Sequence, residues 1–260
     1  MASNIVDLSK ARVLVSNDDG INAPGLKILE KIAREIAAEV WVVAPETEQS
    51  AASHSLTRMR PLRIRQVSER RFAVDGSPTD CALLGIRKIL ADNPPDIVLS
   101  GINPGGNLCD DVTYSGTIAV AMEGALLGIP GIAMSLAHEG TRPMRWATVE
   151  HWAPRVLKSL TETGWPKNVV LNLNFPNIPS DAVTGIEITA QGAGKTGQGI
   201  TEEVDPHGND IFWLGTENHE DRVRDGDDVQ AIKRGAVSIT PLCLDLTHRP
   251  SIKALGVVFT

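Results

Sequence analysis

The chain has 260 residues, of which 42% are apolar, and it carries a formal net charge of −7. This apolar content is sufficient for a full hydrophobic core, so the composition argues against intrinsic disorder. The negative charge argues against binding to nucleic-acid polymers or anionic membranes, because those partners normally need clustered Lys and Arg.

The cysteines and the apolar runs bear on the compartment. The chain has three cysteines, Cys81, Cys109 and Cys243, and no C-x-x-C pair. An odd number without this spacing predicts neither a disulfide framework nor a zinc site, so we expect reduced thiols in a cytoplasmic protein. The N-terminal residues do not read as a signal peptide, and no apolar run approaches the roughly 20 residues of a membrane span.

The first half of the chain alternates strand-like and helix-like patterns. Short apolar, β-branched runs predict strands, and capped segments with apolar residues at helical spacing predict helices. In chain order these are strand 12–16, helix 26–38, strand 40–44, a helix over 78–90 capped by Ser77 with Pro78 at its first position, strand 96–100, helix 118–127 and strand 132–136. This alternation predicts an α/β fold with a mostly parallel sheet and helices on both faces.

The second half has shorter strands and more turns. Strands are predicted at 169–175, 185–190, 211–214 and 237–242, with a glycine-rich loop at 191–199. We expect one domain over 1–260, with a core at 11–160 and strands, a hairpin and a C-terminal extension at 161–260. For the glycine-rich loop two roles stay open, a mobile lid or a hairpin tip at a subunit contact.

Polar residues directly follow several of the predicted strands. In a parallel sheet, ligands bind at the carboxyl ends of the strands, where these residues would lie. Two adjacent carboxylates follow the first strand, hydroxyls follow the second, amides follow the strand at 96–100, and a Ser-Gly-Thr sequence opens the next helix. These residues are Asp18, Asp19, Ser50, Asn103, Asn107, Ser115, Gly116 and Thr117. We expect them to meet at one edge of the sheet.

The adjacent aspartates are the most informative pair. Two carboxylates repel each other at close range, and a divalent cation reverses that repulsion. Because the surrounding candidates offer hydroxyl and amide oxygens and no thiolate or paired histidine, they suit Mg²⁺, Mn²⁺ or Ca²⁺ rather than zinc. The alternative is that Asp18 and Asp19 only form a turn and cap a helix.

The helix start at Ser115, Gly116 and Thr117 has two interpretations. Ser and Thr are ordinary N-cap residues, but free N–H groups at a helix start also suit a phosphate. Asn107 has a similar alternative as a simple turn residue.

Other candidate sites are weaker. Gly194-Lys195-Thr196 resembles the end of a P-loop, but Thr189 stands where that motif needs Gly. His54 and the acidic run at 225–228 are interpreted as a surface histidine and a solvated turn.

Five blocks of sequence together resemble one known family, over roughly residues 12–136. They are VLVSNDDG followed by APG, VVAPETEQSAAS, DGSPTDC, PDIVLSGINPGGN and DDVTYSGT. They are similar to the SurE (survival protein E) family of metal-dependent 5′-nucleotidases. Cys109 departs from the family pattern, since glycine is common there, and His54 replaces a frequent small polar residue.

The resemblance implies a Rossmann-like core and one divalent metal ion, Mg²⁺ or Mn²⁺, per subunit. The implied ligands are Asp18, Asp19, Ser50 and Asn103. It also implies a homodimer or homotetramer held partly by exchanged C-terminal elements. The substrates would be nucleoside monophosphates, extending to 3′-monophosphates and short polyphosphate.

The resulting hypothesis is a metal-dependent phosphomonoesterase. Asp18 and Asp19 hold the cation, and one of them also orients or deprotonates the attacking water. Asn107 and the helix start at 115–117 bind the phosphate. Two alternatives remain at this point, a nucleotide- or metal-sensing module without turnover and a metal hydrolase acting on a non-phosphate ester.

Overall fold

The computed structural model of the chain describes residues 4–138, 143–194, 199–214 and 224–258. Within these ranges, strands and helices follow one another from the N-terminus to the C-terminus. They are β1 (Arg12–Ser16), α1 (Pro24–Ile36), β2 (Glu39–Pro45), β3 (Ile64–Ser68), β4 (Arg71–Val74), α2 (Pro78–Leu84), β5 (Ile97–Pro104), α3 (Gly116–Leu126), β6 (Gly131–Ala137), α4 (Trp146–Thr163), β7 (Val169–Pro176), β8 (Gly185–Ile188), β9 (Ile200–Val204), β10 (Asp210–Leu214), α5 (Asp228–Lys233), β11 (Ala236–Cys243) and α6 (Arg249–Gly256).

The described strands form one large sheet and one separate hairpin. The large sheet has nine strands in the order β3-β4-β2-β1-β5-β6-β7-β11-β8. Its central pairs, from β4 to β7, are parallel, whereas β3 runs antiparallel to β4 and β11 antiparallel to β7. Strands β9 and β10 pair in an antiparallel hairpin. The predicted mostly parallel sheet and the hairpin in the second half are confirmed.

Helices cover both faces of the sheet, as predicted. Along β1, Val13 and Val15 belong to the core cluster that includes residues of α1 and α4. Leu14 points the other way and packs with residues of α2 and α3. Because successive side chains of a strand alternate between the two faces, a fully buried β1 needs apolar residues at each of these positions.

The helix predicted after the Ser77 cap begins at Pro78, as predicted, but its α-helical part is shorter than expected. Ser77 and Asp80 form a capping box that starts α2 at Pro78. The α-helix ends at Leu84, and a π-helical turn continues over Gly85–Ile89, with the Leu90 N–H donating to the Gly85 carbonyl at 2.9 Å. Periodicity alone does not distinguish this wider turn from an α-helix.

Several elements have no counterpart in the sequence predictions, namely β3, β4, β9, α4, α5 and α6. Strands β7, β8 and β11 join the same sheet as the strands of the first half, while the proposed division at residue 161 stays a prediction. None of the helices in the described part of the chain has the length and apolar character needed to cross a bilayer.

Candidate active site

The turn that follows β1 carries Asp18 and Asp19. Asn17 donates its side-chain N–H to the carbonyl of Gly20 at 3.1 Å, and Gly20 has a φ of +100°. A Cβ added there would lie 3.2 Å from the carbonyl carbon of Thr47. Glycine suits both the backbone conformation and this close approach. The sequence Asn-Asp-Asp-Gly therefore encodes a tight turn that holds both carboxylates at the carboxyl end of β1.

Asp18 is fixed by the first turn of α3. Its side chain is buried, and the hydroxyl of Thr117 donates to its Oδ1 at 2.6 Å. A Cβ added at Gly116 would lie 2.7 Å from the Cβ of Asp18, so the helix start packs directly against the carboxylate. Burial raises the pKa of Asp18, and the hydrogen bonds from Thr117 oppose that rise.

Asp19 has a raised pKa and one carboxylate oxygen without a partner in the described part of the chain. Burial, the charge of Asp18 and the charge of Glu48 raise its pKa from 3.8 to about 7. Its Oδ2 is buried and has no hydrogen-bond partner among the described residues. A buried carboxylate oxygen without a protein partner is costly, and a bound cation removes that cost.

The loop after β2 is attached to the same turn. The N–H of Gln49 donates to the backbone carbonyl of Asp18 at 2.8 Å. Next to it, the hydroxyl of Ser50 donates to Glu48 Oε1 at 2.8 Å, which leaves lone pairs on the Ser50 oxygen for a cation. Sequence reasoning missed Glu48, although its position two residues before Ser50 in a strand-end loop was an available signal.

Asn103 comes from β5, the strand next to β1. It donates a side-chain N–H to the Gly105 carbonyl at 2.9 Å, so its amide oxygen Oδ1 is the atom left for a ligand. Ser16 and Ser100 are partners in the β1–β5 register. The turn after β1 and the end of β5 therefore lie at the same edge of the sheet, as predicted from the strand ends.

Asn107 is fixed by hydrogen bonds to side chains of β6 and β7. Its side-chain N–H donates to the Ser135 hydroxyl at 2.7 Å, and its backbone N–H donates to Asn174 Oδ1 at 2.9 Å. Its carbonyl accepts from Asn172 at 2.8 Å and from Asn174 at 3.1 Å. The two asparagines of β7 were missed by sequence reasoning, although alternating amides on a buried strand are an unusual pattern.

The start of α3 has the N-cap that its sequence predicts. Ser115 caps the helix, because its hydroxyl oxygen accepts from the Ile118 N–H at 3.0 Å. Thr117 is fully buried and its hydroxyl is committed to Asp18. Thr117 therefore supports a candidate metal ligand, and phosphate binding by residues 115–117 stays a prediction.

These side chains fit a divalent cation with oxygen ligands. Within the described ranges, no three His, Cys, Asp or Glu residues come together as a metal site. A cation held by Asp18 and Asp19 therefore needs hydroxyl and amide oxygens, which Ser50 and Asn103 offer. Such an oxygen set is typical of Mg²⁺ and Mn²⁺ sites.

One interpretation from the sequence is incomplete and another is wrong in part. His54 is exposed, as interpreted, but its Nε2 also lies 3.0 Å from Oε2 of Glu123, a buried carboxylate of α3. In the acidic run 225–228, Asp227 and Asp228 are buried rather than solvated. Neither contact leaves a local signal, since the partners of His54 and Asp228 lie 69 and 119 residues away along the chain.

Comparison with known proteins identifies the family. The family model described as "Survival protein SurE" matches residues 13–198. This chain belongs to the SurE family. A relative from Paramagnetospirillum magneticum, named 5′-nucleotidase SurE, is 58% identical over 255 residues, covering 98% of both chains. A second one with the same name, from Rhodospirillum rubrum, is 49% identical and covers 100% of both chains.

A solved structure supports the SurE fold. The crystal structure of the SurE protein from Aquifex aeolicus has a TM-score of 0.84 and 37% sequence identity, covering 96% of this chain and 100% of that one. The resemblance derived from the five sequence blocks is thereby confirmed, and so is the Rossmann-like fold.

In this SurE protein, replacing Thr117 by Val is expected to lower kcat/KM about 10- to 100-fold. Valine keeps the shape but removes the hydroxyl that orients Asp18, and losing such a supporting hydrogen bond typically weakens a metal site by that factor. Thr117→Ser keeps the hydroxyl and should retain most of the activity. Steady-state kinetics of both variants test this. Equal activity of the Val and Ser variants would contradict a role for the hydroxyl.

Proposed function

We propose that this SurE protein is a divalent-metal-dependent phosphomonoesterase that hydrolyses nucleoside 5′-monophosphates to nucleoside and phosphate. The observation that carries the proposal is the adjacent pair of buried Asp18 and half-buried Asp19, in which the buried Oδ2 of Asp19 lacks a partner among the described residues. The near full-length relatives named 5′-nucleotidase SurE support the same activity.

Asp18, Asp19, Ser50 and Asn103 would hold Mg²⁺ or Mn²⁺. When bound, such a cation lowers the pKa of a bound water and offsets the charge of the phosphoryl oxygens. This chemistry suits a protein with a net charge of −7, because an anionic substrate needs a local positive centre to approach an acidic surface.

Other residues would orient the metal ligands, activate the attacking water and bind the phosphate. Thr117 orients the Asp18 carboxylate through the 2.6 Å hydrogen bond. One of the two aspartates would also orient or deprotonate the attacking water. The pKa of about 7 at Asp19 belongs to the protein without a cation, and a bound cation lowers it by favouring the ionised carboxylate. Asn107 and the N-terminus of α3 would bind the phosphate oxygens through N–H groups.

Phosphate release tests the proposal directly. Purified protein incubated with AMP and Mn²⁺ is expected to release inorganic phosphate, to stop when a chelator is added, and to recover when Mn²⁺ or Mg²⁺ is restored. A panel of purine, pyrimidine and 3′-monophosphates and short polyphosphate then defines the substrates. Saturable AMP binding without phosphate release would instead support a sensor, and activity insensitive to the chelator would contradict the metal assignment.

The same proposal includes a homodimer or homotetramer in the cytoplasm. Apolar side chains are exposed on the hairpin, at Phe212 and Trp213, and on α6, at Ile252 and Leu255. Exposed apolar groups concentrated on protruding elements are typical of subunit contacts. The three cysteines are free thiols, which suits a reducing compartment.

A further inference from the structure

Asp228 is a buried carboxylate that the proposed reaction does not use. It is the first residue of α5 and has no exposed surface. Its Oδ2 accepts from the Cys109 backbone N–H at 2.9 Å. Its Oδ1 accepts from the Gly192 N–H at 3.1 Å and from the Val229 N–H at 2.8 Å. One side chain therefore joins three separate segments of the chain.

One of these segments connects two candidate phosphate-binding positions. Cys109 begins the short helical turn Cys109–Thr113, which lies between Asn107 and the start of α3 at Ser115. Cys109 has a φ of +53°, a left-handed conformation that is unusual for a residue other than glycine. Such a conformation persists only where its surroundings fix it, and the hydrogen bonds from Cys109 to Asp228 provide that constraint.

The second segment is the beginning of the glycine-rich loop at 191–199, of which residues 195–198 lie outside the described ranges. Gln191 donates its side-chain N–H to the Cys109 carbonyl at 2.9 Å. Asp110 and Gly194 exchange two hydrogen bonds, from Asp110 N–H to the Gly194 carbonyl at 3.0 Å and from Gly194 N–H to Asp110 Oδ2 at 3.1 Å. The described part of the loop is thus paired with the Cys109–Thr113 turn.

The contact leaves no room for a side chain at position 192. A Cβ added at Gly192 would lie 2.8 Å from the sulfur of Cys109 and 3.0 Å from Oδ1 of Asp228. Real Cβ atoms do not approach other atoms so closely in a packed interior. Glycine is therefore required at position 192, where the chain packs against Cys109 and Asp228. This packing explains one of the glycines in the glycine-rich loop.

We propose that Asp228 is a positioning residue for substrate binding, which fixes the Cys109–Thr113 turn, and with it the spacing of Asn107 and Ser115, against residues 191–194. This inference rests on the proposed function, because the positioned residues are those assigned to the phosphate. Residues 191–194 are thereby held against the turn that lies between the proposed phosphate-binding positions.

A carboxylate is needed because both oxygens act as acceptors. In Asp228→Asn the shape is retained, but one acceptor becomes an N–H₂ group that faces an N–H donor. The substitution therefore removes either the hydrogen bond from the Cys109 N–H or those from the Gly192 and Val229 N–H groups. Asp227→Asn is the matched control. Asp227 is also buried and precedes α5, but the hydrogen bond its side chain accepts comes from the Arg224 N–H at 2.7 Å.

Steady-state kinetics with a nucleoside monophosphate and titration with Mn²⁺ alone test the proposal. In Asp228→Asn the KM and the inhibition constant of inorganic phosphate are expected to rise about tenfold, as for the loss of one strong hydrogen bond. The Mn²⁺ affinity should stay within about twofold of the wild type, because Asp228 contacts none of the candidate ligands. Asp227→Asn should keep the wild-type KM.

Amide hydrogen exchange supplies an independent readout. The Cys109 and Gly192 amides should exchange faster in Asp228→Asn, with no change in α1. If Asp228→Asn does not fold, Gly192→Ala breaks the same junction without altering the carboxylate, and it should give the same rise in KM. An unchanged KM in a folded variant overturns the proposal, as does an equal loss of Mn²⁺ and substrate affinity in both Asp variants. A wild-type protein that releases no phosphate overturns the proposed function instead.

Discussion

Replacing Asp19 by Asn is expected to lower kcat/KM for nucleoside monophosphates by at least about 100-fold. Side chains that only support a metal ligand typically contribute 10- to 100-fold, and Asp19 is proposed as a direct ligand. Its Oδ2 has no hydrogen-bond partner among the described residues, so the protein offers no substitute for a bound cation. Steady-state assays with Mn²⁺, together with Mn²⁺ titration, measure both losses.

Asp92→Asn is the control for Asp19→Asn, because it removes the same charge from an exposed position outside the site. Its kcat/KM should match the wild type. Near-normal turnover and Mn²⁺ affinity in Asp19→Asn would contradict the assignment of Asp19 as a ligand.

The same substitution should have the opposite effect on the stability of the metal-free protein. The pKa of Asp19 is about 7 in the folded protein, compared with an ordinary value of 3.8. The folded state therefore binds this proton more tightly than the unfolded state. As a result, the Asp19 contribution to the free energy of unfolding falls as the pH rises from about 4 to about 7. Asn does not titrate, so Asp19→Asn should not show this fall in the free energy of unfolding as the pH rises.

Chelator-treated protein tests this effect. At pH 8, Asp19→Asn should raise the free energy of unfolding by about 1–3 kcal/mol, on the scale of 1.36 kcal/mol for each pKa unit. At pH 4 the two proteins should differ little, because Asp19 is then protonated. Urea unfolding at several pH values gives the difference directly. A difference that does not grow between pH 4 and pH 8 would contradict the cause assigned to the raised pKa.

Replacing Gly25 by Ala is expected to have the largest effect on stability. A Cβ added at Gly25 would lie 1.9 Å from the Ile102 carbonyl oxygen and 2.9 Å from its carbon. Because both are backbone atoms of β5, no side-chain rotation relieves the clash, and α1 must move away from the sheet. Overpacking of this kind costs about 3 kcal/mol or more, which lowers the Tm by about 6–12 °C in a chain of this size.

The Gly25 substitution should also impair catalysis, because Ile102 precedes Asn103 in β5. Assays well below the Tm separate this loss from unfolding. Gly256→Ala is the matched control, since a Cβ added there meets no atom of the described residues within 4 Å. A Tm within about 2 °C of the wild type in Gly25→Ala would contradict the close packing of α1 on β5.

Much of the fold was predictable from local patterns. The predicted strand 12–16 matches β1 residue for residue, since three consecutive apolar residues with Ser at the end specify a strand buried on both faces. The edge strands β3 and β9 were not predictable in this way, because every residue in them is exposed. Such strands have no apolar alternation, and their pairing depends on the neighbouring strand.

The candidate site was predictable to the extent that parallel strands bring their carboxyl ends together. That rule places Asp18, Asp19 and Asn103 at one edge of the sheet, where the structure has them. The rule does not say which side chains fix each other. The partnership of His54 with Glu123 spans 69 residues, and that of Asp228 with Cys109 spans 119, so neither leaves a local signal.

The sequence by itself determined that two carboxylates stand side by side at the end of a buried strand, because that follows from their adjacency in the chain and from the apolar run before them. Only the tertiary structure decided what surrounds each carboxylate. The packing of α3 brings the Thr117 hydroxyl to Asp18 across 99 residues, whereas Oδ2 of Asp19 is buried with no hydrogen-bond partner among the described residues. Hydrogen bonding and desolvation depend on distances in the folded chain, and these are set by packing rather than by sequence order.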